Sequence, residues 1–378
     1  MPGSEIIDEK EKNAISKLFS ESGILVSTGN KSQKRRFYVR ELEKKFAHKM
    51  KCKFALAVTS GTAAIKIGLK ALGVKHDDEV ITQAFNFIAT IEAIIDLGAK
   101  PILVDVDKTL NMCPESLLKR INKKTKAIIP VHMLGVPVDM SEIMRIAKKR
   151  KIPVLEDNCE AIGGKYKKKF LGTIGDVGAL SFDGGKIITC GEGGMVLTNN
   201  AKIIKYSKEY HDHGHENNPK LPRGRDTRKI VGFNYRITEM QGAVAQVQLG
   251  KLDKILSENK KRYFQLEKSL KHYKEMRKIP KGSEIIHDTF IFFVKNKFLR
   301  NKIIKLLKKE KIGTKNLPDA VEWHCAFYWK HALNKSEINK IVKTKKILDT
   351  AIAIPILLKR DTRFYSQLGN KLKKILFN

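Results

Sequence analysis

From about residue 54 the apolar positions alternate between short unbroken runs and longer stretches in which they recur every three or four residues. That alternation is the pattern of strands and crossover helices in a mostly parallel sheet. The runs 54–59, 79–82, 101–105, 126–131 and 153–156 are predicted strands, and 63–72, 88–97 and 141–149 are the helices between them. Between residues 175 and 199 the rhythm changes, because two apolar runs, 177–182 and 195–198, flank a glycine-rich loop too short for a helix. The pattern there predicts an antiparallel excursion whose turn displays side chains. A long helical stretch, 238–266, then leads into a lysine-rich region of weaker helix and strand patterning. The fold class is α/β. A chain of 378 residues exceeds the size at which one core keeps growing. We therefore expect a large domain over 1–250 and a smaller C-terminal α+β domain over 251–378, and we find no internal repeat or Pro-rich linker.

Composition narrows the function classes. No run approaches the roughly 18 uninterrupted apolar residues of a membrane span, and residues 1–12 mix acidic and basic side chains without the apolar centre of a signal peptide. The cysteines at 52, 113, 159, 190 and 325 show no paired spacing, which reads as reduced thiols in a cytoplasmic protein. Lys and Arg number 74 against 40 Asp and Glu, a net charge of +34, which raises the question of nucleic acid. The lysines are spread along the whole chain rather than gathered into a basic arm with interleaved aromatics, so their distribution argues against a nucleic-acid partner.

Three local features suggest chemistry. Ser60-Gly61-Thr62 sits where a strand ends and a helix begins, and free amides with a positive dipole end suit a phosphate there, although an ordinary N-cap reads the same way. Glu156-Asp157 directly follow an apolar run, at the strand end where open α/β sheets bind ligands; a helix cap or a metal carboxylate is the alternative. Lys186 lies on a glycine-flanked turn, Ser181-Phe182-Asp183-Gly184-Gly185-Lys186, between two buried runs. A P-loop is excluded, since Leu180 stands where that motif needs its first glycine and Ile187 where it needs Ser or Thr. A desolvated lysine of this kind suits imine formation. A phosphate anchor, a strand-end carboxylate and an imine-forming amine are together what pyridoxal 5'-phosphate requires.

The chain resembles the DegT and StrS group of fold type I sugar aminotransferases over nearly its whole length. The resemblance rests on Ser60-Gly61-Thr62, residues 80–90, Glu156-Asp157, Gly175-Asp176-Val177, the stretch 181–198 with Lys186, and Gly232-Phe233-Asn234-Tyr235-Arg236; it is strongest over 172–199. It implies a mostly parallel sheet in a large cofactor domain with a smaller C-terminal domain. It implies that the backbone of Gly61 and Thr62 and the hydroxyl of Ser181 hold the cofactor phosphate, that Phe87 stacks on its ring, that Asp157 pairs with the ring nitrogen and that Lys186 forms the Schiff base. Asn234 looks like the residue that reaches the neighbouring subunit's cofactor, implying a homodimer with shared sites. Glutamate is the implied amino donor and a keto-sugar the acceptor, with the released Lys186 amine as general base. One departure stands out: the family commonly has Gln or His three residues after the aspartate, near the cofactor's phenolic oxygen, and this chain has Glu160, which the resemblance makes a cofactor-binding candidate; the alternative is a tolerated variant that hydrogen-bonds as a protonated acid or turns elsewhere. Relatives that replace the lysine by His are dehydratases, and Lys186 argues against that here.

For the acceptor, the informative segments are Tyr210-His211-Asp212-His213-Gly214-His215 and Arg223-Gly224-Arg225-Asp226-Thr227-Arg228. The alternate histidines would share a face if extended, but transamination needs no metal, and we expect none. Guanidinium forks bind carboxylates, so Arg223, Arg225 and Arg228, with His213 and His324, are candidates for an acidic acceptor; a solvated basic loop is the alternative. This loop, with residues 316–320 and Trp323-His324, is similar to the branch that aminates C8 of a 3-deoxy-octulosonate for lipopolysaccharide. A nucleotide-linked 4-keto-6-deoxyhexose is the alternative acceptor. A non-catalytic cofactor-binding protein and a nucleic-acid-binding protein are the more distant readings.

Overall fold

The computed structural model describes residues 2–28 and 35–377. Its strands are β1 (Phe54–Val58), β2 (Glu79–Gln83), β3 (Lys100–Val104), β4 (Thr125–Ile129), β5 (Leu155–Asp157), β6 (Lys165–Tyr166), β7 (Lys169–Phe170), β8 (Val177–Ser181), β9 (Gly194–Thr198), β10 (Ser283–Glu284), β11 (Thr289–Phe293) and β12 (Ala351–Pro355). Each strand expected from the apolar runs up to residue 157 is present, displaced by at most two residues at either end.

The central sheet is assembled from the run β1-β9-β8-β5 and the run β3-β2-β4. Parallel bridges from Ile128 to Val154 and from Val131 to Asp157 lay β5 along β4 and join the two runs. Neighbours are parallel throughout except at β9, which runs against both β1 and β8. The expected antiparallel excursion is therefore the β8–β9 pair, in register from Gly178 opposite Leu197 to Ser181 opposite Gly194. Strands such as Val177–Ser181 and Gly194–Thr198 are buried along their whole length, as sheets covered on both faces require. One cover is the helix Gly61–Ala71, capped by Ser60, whose hydroxyl accepts from Ala63 N–H at 3.0 Å. Gly68 lets that helix press on the sheet, since a Cβ there would meet Leu155 Cδ1 at 2.6 Å and Val177 Cγ1 at 2.9 Å.

The other face is covered by the helices Tyr38–Met50 and Glu239–Ser269, whose apolar side chains share a core with Leu180, Phe182, Met195 and Leu197. The long helix begins at a capping box between Thr238 and Gln241, so its start was readable from Thr-x-x-Gln. Its first residue, Glu239, in turn accepts from the Tyr38 and Val39 amides at the start of the other helix, a pairing across 200 residues that no local pattern announces. The expected domain boundary at 250 falls inside this helix. Its C-terminal half, with Tyr263 and Leu266, packs in a separate core with the antiparallel pair β11–β12 and the helices Lys297–Lys309 and Thr362–Phe377. Among the described residues no helix is long and apolar enough to cross a membrane.

Candidate active site

The carboxyl ends of β5 and β8 and the start of the helix Gly61–Ala71 meet at one place, as the topology of an open parallel sheet favours. Strand alternation sends the two acidic residues of β5 to opposite sides. Glu156 is fully buried. Its carboxylate accepts from the amides of Ile174 and Gly175, both at 2.6 Å, from Gly172 N–H at 3.0 Å, and faces His132 Nε2 at 3.0 Å. His132 Nδ1 accepts from Val138 N–H at 3.1 Å, which puts the ring proton on Nε2 and makes it a donor to Glu156. Glu156 thus ties down the loop leading into β8. Asp157, 4 % exposed, is held differently: Oδ2 accepts from the Thr90 hydroxyl at 2.8 Å and Oδ1 from Cys159 N–H at 3.1 Å. Thr90 is a supporting residue that the sequence reading passed over, although it lies three positions after Phe87.

At the helix start the amides of Gly61 and Thr62 belong to the first turn, which has no intrahelical acceptor. A Cβ on Gly61 would lie 2.8 Å from Ser181 Cβ and 3.0 Å from Cys159 Sγ, so glycine is what allows Ser181 to close over the helix end. Both features fit a phosphate cradle.

Lys186 follows a tight turn in which Asp183 caps its own loop, accepting from Gly185 N–H at 2.8 Å on the side chain and from Lys186 N–H at 3.0 Å on the carbonyl. The Lys186 carbonyl accepts from Gly3 N–H at 3.2 Å, so the N-terminal segment supports the turn from behind. Burial works against the lysine's charge, but Glu160, with Asp157 and Asp183, outweighs it and holds the ammonium above the ordinary lysine range. Glu160 Oε1 stands 3.9 Å from Lys186 Nζ. Burial likewise opposes ionisation of Glu160, yet Lys186, His324 and Lys315 bring its pKa down to about 2. Glu160 is therefore ionised and faces Lys186, which sets aside both alternatives to a place at the cofactor. The Cys159 thiol is raised by burial and by Asp157 and stays protonated.

Phe87 is 41 % exposed and its ring lies 5.4 Å from that of His324 and 6.4 Å from that of Trp323. Backbone hydrogen bonds from Asn86 to the His324 carbonyl (3.0 Å) and from Ile88 to the Trp323 carbonyl (3.3 Å) bring these distant segments together. His324 Nδ1 donates to the Ala320 carbonyl at 2.8 Å, and Asn316 Nδ2 approaches Glu160 Oε1 at 3.5 Å. The second segment is organised by its own ion pairs. Arg223 forks onto Asp212, with Nη1 at 2.7 Å from Oδ2, and Arg236 binds the same carboxylate. Arg225, Arg228 and His213 are exposed, and no contact ties them to Lys186 or Glu160 among the described residues. The alternate histidines do not converge: His211 Nδ1 donates to the Lys208 carbonyl, His213 adopts a left-handed backbone and His215 faces Asp226. Asn234 is exposed, its side-chain oxygen accepting from Arg236 N–H at 3.3 Å.

Comparison with known proteins bears on the family and the fold. The model of the DegT/DnrJ/EryC1/StrS aminotransferase family matches residues 7–369. A relative from Escherichia coli O157:H7 named GDP-perosamine synthase is 40% identical over 221 residues, which span 58% of this chain and 59% of that protein, or somewhat over half its length. The solved structure of an aminotransferase from Psychrobacter cryohalolentis, 27% identical, superposes with a TM-score of 0.85 over 98% of both chains. That of the E. coli GDP-4-keto-6-deoxy-D-mannose-3-dehydratase with bound hydrated PLP, 25% identical, gives 0.81 over 99% of this chain and 98% of its own.

Proposed function

This chain belongs to the DegT/DnrJ/EryC1/StrS aminotransferase family, and from that premise we propose that it transfers an amino group from glutamate to a nucleotide-linked 4-keto-6-deoxyhexose, using pyridoxal 5'-phosphate held at Lys186. The observation that supports this most is the convergence of Lys186, the buried Asp157 and the free helix start at Gly61 around one point. The cofactor, when bound, supplies an electron sink for the pair released at the donor's α-carbon. Gly61 and Thr62 amides and the Ser181 hydroxyl would hold its phosphate. Asp157, oriented by Thr90, would keep the ring nitrogen protonated. Lys186 would hold the cofactor covalently and, once displaced, take and return the α-proton of the donor. Phe87, exposed beside His324, would cover the ring.

The names of the relatives support a nucleotide-linked acceptor: one is a GDP-perosamine synthase, the other acts on GDP-4-keto-6-deoxy-D-mannose. The octulosonate reading for lipopolysaccharide is the second one. Asn316 and His324, which carried it in the sequence, do reach Glu160 and Phe87. One of its three arginines counts against it, since Arg223 is already engaged by Asp212. The same family resemblance supports a homodimer with Asn234 offered to the partner's site, and a Lys186→Ala chain mixed with an Asn234→Ala chain would then regain activity that neither has alone. The acceptor is tested by incubating the protein with cofactor, 15N-glutamate and each candidate sugar. Label in the nucleotide-linked hexose supports the proposal; label only in 8-oxo-3-deoxy-octulosonate would replace it with the second reading.

A further inference from the structure

We infer that Glu160 is the counter-charge that keeps the proton on the Lys186 nitrogen, a positioning residue acting on the reaction through that lysine. Its catalytic consequence rests on the role proposed above for Lys186; the charge pair itself does not.

The geometry is specific. Glu160 and Lys186 side chains are 10% and 19% exposed, with Oε1 3.9 Å from Nζ. The carboxylate is fixed from two directions, Oε2 accepting from Leu134 N–H at 3.0 Å and Oε1 facing Asn316 Nδ2 at 3.5 Å. The Leu134 amide is itself held in a left-handed turn (φ 48°) by the buried Arg277, which donates to the carbonyls of Met133 at 2.8 Å and Leu134 at 3.3 Å and to that of Thr109 at 2.7 Å. Glu160 therefore cannot swing away without freeing a buried amide.

The other charged or titratable groups around this pair have different attachments. Asp157 is bound to Thr90 and Cys159 N–H, Asp183 to its own turn, Cys159 is a protonated thiol, Lys315 is paired with Asp288, and His324 donates to Ala320. Glu160 is the carboxylate at ion-pair distance from Lys186 among the described residues. A Gln at this position, one of the two residues the family commonly has, would retain an oxygen for Leu134 N–H; it would lose the charge and the acceptor facing Asn316 Nδ2, which Asn316 can meet by turning its own amide. Opposite charge at this range favours the protonated nitrogen, whether as free amine or joined to the cofactor.

The test has one arm without cofactor and one with it. In the cofactor-free protein, the rate of dinitrophenylation of Lys186, followed by peptide mass spectrometry against pH, reports the free amine. Glu160→Gln is expected to lower the midpoint by about one pH unit or more, with Glu160→Asp closer to wild type. In the loaded protein, the pH at which the visible band of the protonated linkage disappears is expected to fall likewise. If Glu160→Gln fails to fold, Lys186→Met reads the same coupling from the other side, moving the Glu160 carboxylate, followed by 13C NMR, to higher pH. Unchanged midpoints in the cofactor-free arm, or an unmoved Glu160 in Lys186→Met, would overturn the inference. A shifted cofactor-free arm in a protein that never gains a visible band would leave the charge pair standing and remove the proposed function.

Discussion

Glu156→Gln is nearly isosteric, yet it should be among the more costly single changes in this fold. The native carboxylate has acceptors on both oxygens: Oε1 takes the amides of Ile174 and Gly175, and Oε2 takes Gly172 N–H and faces His132 Nε2. If the amide oxygen of Gln keeps the first pair, its NH2 group is left facing two buried donors. His132 cannot repair this by changing tautomer, because Nδ1 would then present a hydrogen to Val138 N–H. Two unsatisfied buried donors at about 1–3 kcal/mol each put the loss at about 2–6 kcal/mol. Urea unfolding of the cofactor-free protein, wild type against Glu156→Gln, measures it. A loss below about 1 kcal/mol would mean the loop relaxes or water enters, and the account of Glu156 as the anchor of the 172–175 loop would be wrong.

Three further outcomes follow from the same geometry. Asp157→Asn, one residue along but on the opposite side of the strand, should leave the free energy of urea unfolding within about 1 kcal/mol of wild type while slowing the glutamate half-reaction by about a hundredfold or more, read by stopped-flow absorbance. Gly61→Val places a Cβ 2.8 Å from Ser181 Cβ, so the first helical turn must shift and cofactor affinity should fall at least about tenfold in a fluorescence titration. Burial lowers the pKa of both His211 and His287 from 6.5 to about 4. Both are neutral in the folded chain where the unfolded chain is protonated, so their contribution is intact above pH 6.5 and is lost as the pH falls toward 4. The urea midpoint should decline over that window, and the decline should be shallower in His287→Gln; an equal slope in that variant would refute the assignment.

The central sheet was legible because its strands are short apolar runs separated by helical periodicity, and the β8–β9 excursion because no helix fits between its two runs. Asp157 stood out as a polar residue at the end of a buried strand, and Lys186 as a lysine on the glycine-flanked turn between two such strands. What alternation could not decide is which of Glu156 and Asp157 faces Lys186, since a period of two separates them without assigning sides. Long-range pairings were also hidden: the contact of Phe87 with His324 depends on backbone bonds between segments more than 200 residues apart, and Arg223 looked free only because its partner Asp212 lies across a left-handed turn at His213. The state of Glu160 needed the surrounding lysines and histidine in three dimensions, as no spacing encodes the sign of a local field.

The most direct test of the central claim is the visible absorption spectrum of the purified protein with pyridoxal 5'-phosphate, wild type and Lys186→Ala, before and after glutamate. The wild type should show the band of a lysine-bound cofactor and lose it to the pyridoxamine form on adding glutamate, and the variant should show neither. A wild type that stays colourless, or a Lys186→Ala protein with the same band and the same response, would contradict it.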